Sequence, residues 1–200
     1  MQRRRLLLLL AAAPAGCSSP NPTLYVLAPQ PGTPDPGLSQ SGTPQSPTPR
    51  TGDAPRTVEL REIGLARYLD RSQIVRSSEG YHLDVLSNEW WGEPLGTMLG
   101  RVLVQELTQR LPGSTVFAES GAITVTAAAT VAVNIQRLDS DAAGNAVLIA
   151  QIEVSGHTAA TRNVHLTVPV TTAGTAGLVE AMSQAIAQLA DVIAAMLAGT

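Results

Sequence analysis

The stretch from Leu65 to Leu111 constrains this chain most, because its apolar pattern changes period part-way through. Gln73 to Ser77 and Tyr81 to Leu86 are short β-like runs separated by the turn signal Glu79-Gly80. Trp90-Trp91 then leads into Glu93-Pro94, and helical spacing takes over. Leu95, Met98, Leu99, Val102, Leu103, Leu107 and Leu111 recur as one broad apolar face. Proline suits a first helical turn, where its missing N–H would have no partner. Glu93 places a negative charge at the helix N-terminus. The stretch predicts a strand hairpin that delivers an amphipathic helix through a tryptophan corner.

The flanking segments complete a layer for that helix to cover. Val58 and Leu60 alternate with Thr57, Glu59 and Arg61, the mark of a half-buried strand, and the phase changes at Glu62-Ile63. Pro112-Gly113 stops the helix. Odd positions from Ile123 to Ile135 are apolar, Asp139 to Gly144 is a turn cluster, and Leu148, Ala150, Ile152 and Val154 follow. Val164, Leu166 and Val168 form the inward set of a last strand. These three runs predict an antiparallel meander with one face toward the core. A second helix is expected over about 175–197, with Met182, Ile186, Leu189, Ile193 and Met196 on one stripe. Only Glu180 and Asp191 are charged on it, which predicts cover on more than one side. The expected fold is α+β: a mainly antiparallel sheet with two long helices packed on one face.

The N-terminal region has a different character. Arg3-Arg4-Arg5 precedes the apolar run Leu6 to Ala13, too short to span a bilayer, so residues 1–16 read as a targeting segment. Ala15-Gly16-Cys17 resembles a bacterial lipobox, although Pro14 stands where an apolar residue such as leucine is usual. That resemblance implies a lipidated Cys17 as the new N-terminus. An ordinary signal peptide with an incidental cysteine, or a misassigned start codon, is the alternative. Leu24 to Leu27 is a short strand candidate. Pro29 to Pro55 holds eight of the 14 prolines and has few apolar residues, so it reads as a linker. The expected division is residues 1–16 signal, 17–56 lipidated N-terminus with short strand and linker, and 57–200 folded domain.

Charge and chemistry exclude several function classes. All basic residues are arginine; without residues 1–16, ten arginines face sixteen acids, a formal −6. Nucleic-acid binding needs a basic face, which this balance does not offer. A single cysteine permits no internal disulfide. His82, His157 and His165 are isolated, and no pair has metal-ligand spacing. Phosphate-binding and nucleophile motifs are missing, so neither cofactor nor enzymatic activity is expected. Trp90 and Trp91 point in different directions in extended backbone. Either both plug the corner, or one, Trp91 by preference, contributes to a partner surface.

The composite of YLDRSQIVR, a short hairpin and W-G-E-P-L opening a helix resembles the ABC-type transport auxiliary lipoproteins. These accompany paraquat-inducible (Pqi-type) and related MCE transporters in Gram-negative envelopes. The resemblance covers Val58 to Leu111 well and implies a non-catalytic docking or assembly role in intermembrane lipid transport. It also implies a location at the periplasmic face of the outer membrane and an MCE-domain protein as partner. Two alternatives stand beside it: a module carrying lipid in its own sheet–helix cavity, and an assembly lipoprotein of another envelope machine. Self-association, or co-assembly with the MCE-domain partner, is expected through the small-residue side of the last helix at Ala181, Ala185 and Ala195, or through the Trp90-Trp91 corner.

Overall fold

The computed structural model describes residues 21–30, 54–122, 125–156 and 159–199. Strand β7 (Ala129–Ser140) is the spine of a nine-stranded sheet. On one side it pairs antiparallel with β8 (Ala146–Gly156), which pairs antiparallel with β9 (Ala160–Val168). On its other side three strands lie in succession, all parallel to it. They are β2 (Thr57–Leu60) beside Ala129–Val131, β3 (Gly64–Leu65) beside Asn134–Ile135, and β4 (Gln73–Ser77) at Ser140. The sheet continues outward from both ends of this row. β6 (Thr115–Ala118) pairs parallel with β2. β5 (Asp84–Trp91) pairs antiparallel with β4, and β1 (Thr23–Tyr25) pairs parallel with β5.

This corrects the expectation of a mainly antiparallel sheet. The sheet is mixed: the meander β7–β9 and the hairpin β4–β5 are antiparallel, and the other pairings are parallel. The physical reason is connectivity. A tight turn reverses the chain, whereas parallel neighbours need a longer crossover. β2 and β6 are joined through the hairpin and a helix, so they run the same way. The two-residue β3 and the four-residue β6 had no alternation long enough to announce them. β7 begins at Ala129, and Val125, assigned to the inward set from its position, is exposed.

The two helices fall close to the expected places: α1 at Leu95–Arg110, with Pro94 as N-cap, and α2 at Thr175–Leu197. Both belong to one side of the sheet. The inward residues Val131, Val133, Ile135, Leu148, Ala150, Ile152 and Val154 are buried in one cluster with Met98, Leu99, Leu103, Met182, Ile186 and Ile193. The opposite face carries exposed Asn134, Gln151, Glu153, Asn163, His165 and Thr167. Burying each large aliphatic side chain contributes roughly 1.5–3 kcal/mol, so this single layer supplies most of the driving force for folding.

α2 is long and apolar enough to cross a membrane, yet most of it is buried in this fold. The sheet covers its stripe, and α1 covers another side, with the Ala28 N–H donating to Ser183 Oγ at 3.3 Å. The region before the linker belongs to the folded body as well. Leu27 is buried, and its N–H donates to Met98 Sδ at 3.1 Å. The Gln30 N–H donates to Glu106 Oε1 at 2.6 Å. The signal segment, Cys17 and most of the linker lie outside the described residues.

Candidate functional site

The tryptophan corner forms where β1 meets the end of β5. Leu24 is in register with Trp90, and Tyr25 with Trp91, on parallel neighbours. Register partners of this kind stand on the same face. Trp91 faces the core, is only 6% exposed, and donates its N–H to the Ser72 carbonyl at 2.7 Å. Its expected place on a partner surface is therefore corrected: the backbone bond to Ser72 and the pairing with Tyr25, on the two edges of β5, fix the strand phase that puts Trp91 on the core face. Trp90 is half-buried on the other face, with its indole N–H donating to the Ser87 carbonyl at 3.0 Å. That bond holds the bulged stretch of β5 between Val85 and Trp90, where the pairing with β4 loses register.

Leu24 and Val26 stand beside Trp90 and are 61% and 57% exposed. Gly92 makes room for this arrangement. A Cβ at Gly92 would come within 3.1 Å of Val26 Cγ1, and its N–H donates to the Tyr25 carbonyl at 2.8 Å. The corner is thus a filled plug on its core side and an apolar patch of Leu24, Val26 and Trp90 on the other.

At the opposite end of β5 the hairpin tip is held by a polar pin. β7 has a bulge between Ile135 and Arg137. It keeps Leu138 on the core face and turns Arg137 and Asp139 to the other face. Without it, the odd-numbered Asp139 would enter the apolar layer. Asp139 is fully buried, and its carboxylate accepts from Ser78 Oγ at 2.6 Å, Tyr68 Oη at 3.2 Å and Arg137 Nε at 2.7 Å. Arg137 also reaches Glu79 at 2.6 Å, and Ser140 Oγ donates to the Arg76 carbonyl at 2.6 Å. Burial, then the charge of Asp139, pushes the Tyr68 phenol up to about 12. Burial works against the Arg137 charge, but Glu79 and Asp139 outweigh it and hold the guanidinium above its ordinary value.

The pin fixes the base of the tip at Ser78 and Glu79. The His82 N–H donates to the Glu79 carbonyl at 3.1 Å, with Gly80 at φ 60 and Tyr81 at φ 64. Two consecutive positive φ angles match a type I′ hairpin turn, which suits the strand twist. A tyrosine there costs roughly 1 kcal/mol relative to glycine. Its side chain is fully exposed, and Leu83 beside it is partly so.

A second buried charge cluster ties the helices together. Glu106 is fully buried, receives a bond from Arg110 one helical turn on, and Arg110 also binds Asp191 of α2. Ala185, expected on an associating face, is fully buried, as is Ala181, because α1 and the sheet enclose α2. The small side chains serve packing inside the subunit. Among the described residues no group of histidine, cysteine, aspartate and glutamate could hold a metal ion. A surface groove of about 720 Å³ runs between α1 and the β2–β3 segment, lined by Ile63, Leu65, Gly96 and Gly100 with Arg61 and Arg101 at its rim.

Comparison with known proteins places the chain in context. A family model for the ABC-type transport auxiliary lipoprotein component matches residues 37–194. No curated protein matches. The crystal structure of an uncharacterized protein superposes with a TM-score of 0.69 at 18% identity, covering 88% of this chain and 99% of the other. A Xanthomonas campestris protein of the DUF330 family gives 0.63 at 18% identity, covering 88% and 96%. These two share the fold. A PelC dodecamer from Paraburkholderia phytofirmans aligns at 0.43 and 11% identity, covering 72% and 92%.

Proposed function

The chain belongs to the ABC-type transport auxiliary lipoprotein family, and on that premise we propose that it is a docking component, lipidated at Cys17, of an MCE-type intermembrane lipid transport system. The family makes it an envelope-associated transport auxiliary. The finer reading puts it on the periplasmic face of the outer membrane, after removal of residues 1–16, with an MCE-domain protein as partner and no catalytic step of its own. The family match carries the reading. The placement of β1 supports it by setting the geometry. Because β1 is already part of the sheet, the proline-rich linker follows it and adds nothing to the reach from Cys17.

The anchored domain then has two ends. β1 joins residues 89–91 at one end of β5, and the Tyr81 tip lies beyond the other. Eight strand residues separate them by about 25 Å. The tip is the partner-facing element: it is bonded at its base through Ser78 and Glu79, exposed and aromatic, as interface anchors commonly are. Self-association has to use exposed surface, since Ala185 has none. The alternative of a lipid carried between sheet and helices draws no support, because buried side chains fill that layer.

The test is co-purification from cross-linked envelopes of the native host. Wild-type chain should bring down an MCE-domain protein, and Tyr81→Arg should reduce the yield several-fold without loss of fold. Cys17→Ser should move the chain to the soluble periplasmic fraction. An acylated wild-type chain that never co-purifies with an MCE-domain protein sinks the docking reading.

A further inference from the structure

We propose that the Leu24–Val26–Trp90 patch lies against the phospholipid surface of the leaflet that holds the anchor, as a second, non-covalent attachment. The inference rests on lipidation of Cys17 as proposed above. Its first ground is covalent geometry. Leu24 is the seventh residue after Cys17, so fully extended chain between them spans at most about 25 Å. An acylated sulfur sits at the membrane interface, and this edge of the domain is therefore always within reach of it. No other large exposed apolar side chains among the described residues are so close in sequence to Cys17.

The second ground is charge. From Ser18 to Pro34 the chain holds no acidic or basic residue. Edge strands of soluble sheets are commonly guarded by charged side chains or proline. β1 is an edge strand whose exposed residues are Thr23 and Leu24, with exposed Val26 directly after it. β9, the strand at the other side of the sheet, carries exposed Arg162, Asn163 and His165. Desolvation against lipid therefore meets no charge at β1 and several polar groups at β9.

The third ground is the chemistry of the patch. Tryptophan is enriched at membrane interfaces, where an apolar ring and a polar N–H both find their place. Here the N–H already donates to the Ser87 carbonyl, so lipid contact leaves no donor unpaired. Single acyl chains give weak membrane binding, and stable attachment uses two signals. For a multiply acylated chain the patch has a different consequence. It sets orientation: with the β1 edge on the lipid, the Tyr81 tip at the other end of β5 is held away from the anchored leaflet. Tethering makes even a weak patch contact highly populated, since the effective local concentration is in the millimolar range.

The experiment uses the full chain, processed in a Gram-negative envelope and reconstituted into phosphatidylethanolamine–phosphatidylglycerol vesicles. Brominated acyl chains quench tryptophan by depth, and Trp91→Phe isolates Trp90. Emission of Trp90 should fall several-fold with bromine near the headgroup, and Leu24→Asp with Val26→Asp should restore it. If Trp91→Phe does not fold, Trp90→Phe in the otherwise wild-type chain should remove the quenched component instead. Mass spectrometry of the same sample reports the acyl group. An acylated chain with unquenched Trp90 overturns the patch and leaves the lipoprotein reading intact. An unacylated, soluble chain removes both. Unquenched Trp90 together with loss of a co-purifying protein in the Leu24 and Val26 variants overturns lipid contact in favour of a protein surface.

Discussion

Along one edge β7 meets β8 in a single antiparallel ladder, from Ala129 opposite Gly156 to Ser140 opposite Ala146. Along the other edge it meets β2, β3 and β4 in parallel and in succession. The first edge joins segments that a five-residue connection brings back on each other. The second joins segments about 60 to 70 residues apart in the chain, each too short to hold alone. The long ladder has alternating residues, a tight turn and one bulge. In that turn the Asp141 carboxyl is held below its usual range by the Asn145 side chain first, then by backbone N–H groups. The patchwork edge depends instead on side chains placed across it: the Asp139 pin at its upper end and the α1 layer beneath. One edge is thus stabilised by local pairing, the other by tertiary contacts. The difference can be tested by breaking what the edges share, then what only one uses.

The largest effect is expected from Leu99→Asp. Leu99 is fully buried in the layer beneath both edges. An unpaired carboxylate there costs more than about 4 kcal/mol, enough to abolish a cooperative unfolding transition in denaturant. Unchanged thermal stability would show that the helix layer does not support the sheet.

Glu106→Ala comes next. It leaves Arg110 as a buried charge, with the half-exposed Asp191 as its remaining charged partner and the residue-106 carbonyl as an acceptor, and frees the Gln30 N–H. Removing one member of a buried pair costs about 3–5 kcal/mol. The loss should appear as a lower denaturation midpoint, with hydrogen exchange rising first in β1 and the segment through Gln30.

Asp139→Asn separates the two edges. Each weakened buried hydrogen bond costs about 1–3 kcal/mol. Exchange should rise from Tyr68 to His82 and stay low in β8 and β9. The variant also has a pH signature. A phenol raised above its unfolded value near 10 contributes stability that is complete below that pH. That stability disappears as pH climbs through about 12. Wild-type stability should fall across this window, and phenolate absorbance should show Tyr68 titrating at about 12. In the variant the Tyr68 titration should move back toward the ordinary value. Equal exchange on both edges would remove the distinction drawn between them.

The smallest effect, of opposite sign, is expected from Tyr81→Gly. Relief of the positive φ should stabilise the chain by at most about 1 kcal/mol, read as a small rise in Tm. Combined with the loss of partner capture expected of Tyr81→Arg, a gain in stability would mark the tyrosine as kept for recognition.

The legible parts of this fold were those with their signal in one window. α1, α2, β8, β9 and the β4–β5 hairpin each had a full period or a turn residue within reach. β3 and β6 did not, and neither did Asp139, which reads as turn composition at the head of Asp139 to Gly144. The one hint was Leu138. An apolar residue out of phase with Val133 and Ile135 marks a bulge, and a bulge sends the next acid to the other face. At the site, the corner was visible in Trp90-Trp91 but its handedness was not. Trp91 turns inward because backbone pairing with Tyr25 on one edge of β5 and Ser72 on the other, both distant in sequence, fixes the phase of the strand. Ala185 failed for a related reason. A low-charge helix face tells that it is covered, and burial of α2 within the subunit satisfies that as fully as a second molecule does.

By itself, the order of residues determined both helices and the longer strands, and which side of each is apolar. Those properties follow from local periodicity and from short motifs, which need no partner to be read. Only the tertiary structure decided the parallel pairings, the burial of Asp139, Glu106, Ala185 and Trp91, and the position of β1 ahead of the linker. Each depends on which distant segment arrives alongside, because a strand edge, a buried charge or an apolar face is satisfied by any neighbour with the right shape and bonds.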